Sequence, residues 1–78
     1  MNGIFLESLM KIVFTLHALD KMSERAVDRV WVEETVLFPD VLKRDSHKYY
    51  AIKRIGTNSL KVVYVKESYI KIVTLYWR

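Results

Sequence analysis

The chain has 78 residues, 51% of them hydrophobic, with a net charge of +4 and no cysteine. That length suffices for one small domain with one core, and the apolar share with a single proline argues against disorder. Without cysteine, disulfides, thiolate metal sites and thiol redox chemistry are excluded.

The opening run MNGIFLESLMKIVF carries Glu7 and Lys11 and is too interrupted for a membrane span. It also lacks the basic lead and small-residue cleavage site of a signal peptide, so the expected location is cytoplasmic. Met10 precedes KIVFTLHALD and would itself make a sensible start. Residues 1–9 therefore read as an extension or a misassigned start, and 10–78 as the domain. KIVF is a candidate edge strand. Thr15 is a candidate N-cap for a first helix, with Leu19, Met22 and Ala26 as its apolar stripe. Asp28 is a candidate N-cap for a second helix. There Val27 and Val32 occupy the two positions of a hydrophobic staple, and Val32 and Val36 face the core. Pro39 ends that helix, because the residue before a proline avoids the α region.

From Asp40 onward the period becomes strand-like. VLKRD and HKYYAIKRI lead into the turn GTN, where Gly56 supplies a positive φ; SLKVVYVKE and YIKIVTLYW follow with a tight connection near Glu67–Ser68. Links this short join antiparallel neighbours. The expected architecture is α+β, two N-terminal helices packed on one face of a twisted antiparallel sheet of about four strands. In the last strand, simple alternation places Ile70, Ile72, Thr74 and Tyr76 on one face and Lys71, Val73, Leu75 and Trp77 on the other. Both faces then carry apolar residues, the pattern of a strand covered on both sides.

Charge is unevenly distributed. Residues 1–40 hold four Lys/Arg against seven Asp/Glu, a net −3, whereas residues 41–78 hold nine against two, a net +7. A basic half interleaved with tyrosines suits a phosphate-rich ligand, although lysines on strands also guard sheet edges. No Gly-rich loop exists to cradle a nucleotide, since the two glycines lie far apart, and His17 and His47 stand apart from any carboxylate cluster. Metal-free RNA cleavage needs less. The ribose 2′-hydroxyl is the nucleophile, a histidine can move the proton, and Arg or Lys can stabilise the phosphorane. His17, Arg25, Lys53, Arg54, Tyr76 and Arg78 are of those types. On the first helix His17, Lys21 and Arg25 fall at i, i+4 and i+8 and share a face. Each has an ordinary alternative: a surface histidine, an arginine complementing a helix C-terminus, a solvated lysine. Lys53 and Arg54 point to opposite faces of their strand, and Trp31 and Trp77 suit packing.

The segment FTLHALDKMSERAVDRVWVEETVLFPD, followed by YYAIKRIG and LKVVYVKESYIKIVTLYWR, resembles a family of small prokaryotic domains. Their pattern is His, a Met- or Leu-rich helix, Arg, a second helix, Pro, a basic strand, and a last strand with Thr and an aromatic. The matching positions are His17, Met22, Arg25, Val32, Leu37, Pro39, Lys53–Arg54, Thr74 and Tyr76, within residues 11 to 78. That family looks like a branch of the RelE-like and BrnT-like ribonuclease toxins. The resemblance implies a metal-independent endoribonuclease with no cofactor, whose partners are RNA and a cognate small antitoxin. It implies His17, Arg25 and Tyr76 as catalytic residues and Lys53, Arg54, Thr74 and Arg78 as RNA contacts. The family usually has Gly after the helix-one Arg, where this chain has Ala26, which suggests a tighter or continuous link between the helices. The competing expectations are a non-catalytic RNA-binding or protein-interaction module of the same fold, and an enzyme of another class using the His–Arg pair. A domain this small also leaves room for a homodimer.

Overall fold

The computed structural model describes residues 11–78; the expected extension or misassigned start at residues 1–9 lies outside them. The elements in order are β1 (Ile12–Phe14), α1 (Leu16–Glu24), α2 (Arg29–Leu37), β2 (Val41–Asp45), β3 (Lys48–Ile55), β4 (Asn58–Lys66) and β5 (Ile70–Trp77). They form one five-stranded sheet in the order β1-β5-β4-β3-β2. The α+β class and the antiparallel β2–β3–β4–β5 meander are as expected. Two details differ. KIVF does form a strand, so the helices follow β1 rather than opening the domain, and β1 runs parallel to β5, so the sheet is mixed. Short links dictate antiparallel pairing only between strands they join, and β1 and β5 are joined by the whole domain.

Both helices start on the expected caps. The Thr15 hydroxyl accepts from the Ala18 N–H at 3.0 Å, and the Asp28 carboxylate accepts from the Val30 N–H at 3.3 Å. Val27 and Val32 are both buried in the core, as the staple requires. The apolar face of α1 is narrower than expected: Ala18 is fully buried and Met22 packs on the core, while Leu19 and Ala26 are exposed. Phe38 caps α2 with a non-helical backbone (φ −135°, ψ 59°) ahead of Pro39.

The link between the helices explains Ala26. The Val27 N–H donates to the Met22 carbonyl (2.9 Å) and the Ala26 N–H to the Ser23 carbonyl (3.4 Å), the paired bonds of a Schellman motif. That motif needs a left-handed residue at its turn, and Ala26 sits there with φ +53°. The link is therefore a capped break rather than a continuous helix. Alanine occupies a conformation that glycine reaches without steric cost.

The core lies between the helices and one sheet face. Ala18, Val32 and Val36 meet Ala51, Leu60, Val62, Ile70, Ile72 and Leu75, all buried. The β5 residues in this set do not follow simple alternation, because a register shift intervenes. Tyr64 pairs with Ile72 and Val63 with Thr74, leaving Val73 as an extra residue, a β-bulge. Ile70, Ile72, Leu75 and Trp77 consequently face the helices, while Lys71, Thr74 and Tyr76 belong to the opposite face. This corrects the expectation that Thr74 and Tyr76 share a face with Ile70 and Ile72. One inserted residue inverts every later side chain. It also accounts for the apparently two-sided apolar pattern, which does not require a second covering layer.

Candidate functional site

The bulge organises the site. Three consecutive residues of β5 are held by the start of α1: the Ile72 carbonyl accepts from the Thr15 N–H (3.2 Å), the Val73 carbonyl from the Thr15 hydroxyl (3.2 Å), and Thr74 meets His17. The last contact joins His17 Nε2 to Thr74 Oγ1 at 3.1 Å, across 57 residues of sequence. A hydroxyl both donates and accepts, so this contact survives either imidazole tautomer and the imidazolium. His17 is exposed, and Thr74 is half-buried.

Thr74 lies on the face that no described element covers. Pairing across the strands gives two rows there: Thr74–Val63–Tyr50–Lys43, and Tyr76–Lys61–Ile52–Val41. Lys61 Nζ lies 5.6 Å from the centroid of the Tyr76 ring directly opposite, and 5.3 Å from that of Tyr50 on the diagonal. Among the described strand residues, the same face carries Lys43, Lys48, Arg54 and Lys71, against the single carboxylate of Asp45. The basic half of the chain has thus concentrated five cations on one surface, with His17 at its edge. Among the described residues, no group of three His, Cys, Asp or Glu is placed to hold a metal ion.

The expected site residues divide accordingly. His17, Thr74 and Tyr76 come together at the edge and on the open face. Arg25 sits at the far end of α1, about 12 Å along the helix from His17. Its carbonyl accepts from the Trp77 indole N–H (2.9 Å), which fixes the end of α1 against the end of β5. Trp77 in turn meets Trp31 edge-on at 5.9 Å, so both tryptophans serve packing. Lys53 faces the helices: its ammonium donates to the Phe38 carbonyl at 3.0 Å and supplies the positive charge that the last turn of α2 lacks. Arg54 is on the open side, its backbone N–H on the Asp40 carboxylate (2.8 Å) and its Nε on the Gly56 carbonyl (3.3 Å). Arg78 extends the β4–β5 pairing, with its N–H on the Ser59 carbonyl. Lys21 pairs with Glu24 on the same helix at 3.2 Å. The residues missed in the sequence are Lys61 and Tyr50. Their juxtaposition with Tyr76 follows only once the bulge sets the register.

Fold and site together define a small α+β domain. Two helices cover one face of its sheet, and the other face is cationic and aromatic, with an imidazole hydrogen-bonded at its rim. The chain belongs to the family described as Domain of unknown function (DUF4258), whose model matches residues 14–77. That span contains every element from the end of β1 to the end of β5, including His17, Arg25, Thr74 and Tyr76. Neither a curated protein nor a solved structure matches the chain.

Proposed function

We propose that this protein is a metal-independent endoribonuclease of the toxin–antitoxin type, acting on RNA in the cytoplasm and restrained by a small partner protein. The observation that supports this reading is the His17–Thr74 contact at the rim of a face bearing five cations. In the reaction the ribose 2′-hydroxyl loses its proton and attacks the adjacent phosphorus. The bond to the 5′-oxygen breaks, and that oxygen gains a proton, leaving a 2′,3′-cyclic phosphate and a free 5′-hydroxyl. His17 serves one of these proton transfers, and Thr74 Oγ1 orients its ring. Lys61, whose ammonium lies 5.6 Å from the Tyr76 ring centroid, is the cation on that face assigned to stabilise the added charge on the phosphorane, with Arg25, Arg54 and Arg78 as further phosphate contacts. Lys53, engaged at the end of α2, contributes to the fold instead.

The test is cleavage of RNA in the presence of EDTA with analysis of the ends. The expected products carry 2′,3′-cyclic phosphates. His17→Ala lowers the rate by roughly 10²–10⁴-fold with an unchanged melting temperature. Full activity in that variant overturns the role of His17. RNA that binds with a steep salt dependence but stays intact favours the second reading, a binding module built on the same open face.

A further inference from the structure

We infer that Tyr50, Lys61 and Tyr76 form a stacking platform for unpaired nucleotides, so that the open sheet face selects single-stranded RNA. This rests on the reading above that RNA is the ligand, and it specifies which form of RNA and which residues grip it.

The three side chains come from three adjacent strands, β3, β4 and β5, and the lysine ammonium lies within 5.6 Å of both ring centroids. Both rings are half-buried, as Tyr49 is, but neither belongs to the hydrophobics packed against the core. By contrast Tyr49, one residue away on the helix-facing side, is occupied by a parallel stack on Tyr64 at 5.1 Å. A base has a π-face whatever its identity, and an aromatic ring beside a cation can stack the base and hold the phosphate that follows it. A duplex keeps its bases stacked internally and offers the rings nothing, so the arrangement favours unpaired strands. The charge of the face, five cations against Asp45, complements a phosphate backbone along its whole width. From Thr74 to Lys43 the first row spans three strand spacings, about 14 Å, and it begins beside His17. A strand lying along that row presents its sugar–phosphate backbone to the imidazole.

The experiment measures binding apart from cleavage. A fluorescein-labelled 2′-O-methyl RNA oligomer of roughly 10 nucleotides has no free 2′-hydroxyl and cannot be cut by this chemistry. Its affinity for the full chain is measured by anisotropy against salt, with an RNA duplex and heparin as competitors. Tyr50→Ala is expected to weaken binding about tenfold or more, whereas Tyr50→Phe, which keeps the ring, restores it. Lys61→Gln should reduce the slope of log affinity against log salt by about 0.7. Equal affinity in wild type and Tyr50→Ala, or duplex and heparin competing as well as single strands, overturns the platform and leaves a charged surface without base stacking. If the platform results hold while wild type cleaves no RNA, the nuclease reading fails and this inference stands. If cleavage occurs but Tyr50→Ala binds normally, the reverse is true.

Discussion

Tyr49 and Tyr50 are neighbours in the chain and face opposite ways from β3. Tyr49 stacks on Tyr64 with the planes 7° apart and packs against the core, whereas Tyr50 lies beside Lys61 on the uncovered side. The two faces of the sheet differ in the same manner throughout. The helix-facing side is a continuous set of buried Leu, Ile, Val and Ala; the open side alternates cations, aromatics and valines. Val63 is only 6% exposed although no described helix lies above it, so the open face also holds a buried valine among its charges. Among the described residues, one face of the sheet carries both helices and the core, and the other carries neither.

Substitutions that fall on one face only can break this division. Ile72→Ala, at a fully buried site, should cost about 2–5 kcal/mol in chemical denaturation, enough to threaten a domain of this size. The adjacent tyrosines give the sharpest contrast. Tyr49→Ala should cost about 2 kcal/mol through lost packing and the lost stack, and Tyr50→Ala less than about 1 kcal/mol. If Tyr50→Ala destabilises the protein as much as Tyr49→Ala does, the open face is structural and the contrast fails. Ala26→Gly lies on neither face and should stabilise the protein by roughly 1 kcal/mol, read as a raised melting temperature, because φ +53° costs glycine nothing. Smallest of all, Glu33→Gln removes the exposed pair with Arg29 and should change stability by less than about 0.5 kcal/mol.

What could be read from the sequence was what is decided locally. Thr15, Asp28, Pro39 and Gly56 act on backbone within a few residues, and each does what its type dictates. The staple and the antiparallel meander are local in the same sense. The bulge at Val73 left no sign, since no glycine marks it and Val-Thr fits an unbroken strand as well as a bulged one. Ser46, with φ +60° at the β2–β3 turn, stands where a glycine or asparagine would have announced the geometry. The parallel pairing of β1 with β5 depends on closure of the whole chain. The candidate site was legible to the same degree. His17 and Thr74 were separately visible as chemical types, but their contact and the place of Lys61 beside Tyr76 depend on the one residue that resets the register.

The pairing of β1 with β5 also governs when the molecule can exist. Residue 12 emerges from the ribosome long before residue 70, and the contacts of Thr15 and His17 with β5 all span more than fifty positions. Contacts so distant in sequence form late and slowly, after the entropy of closing a long loop has been met. The meander from β2 to β4 can assemble while synthesis continues, yet His17 has no partner until Thr74 has been made. A nascent or prematurely terminated chain therefore carries the imidazole without the hydroxyl that orients it, and the rim of the open face is the last part of the protein to mature.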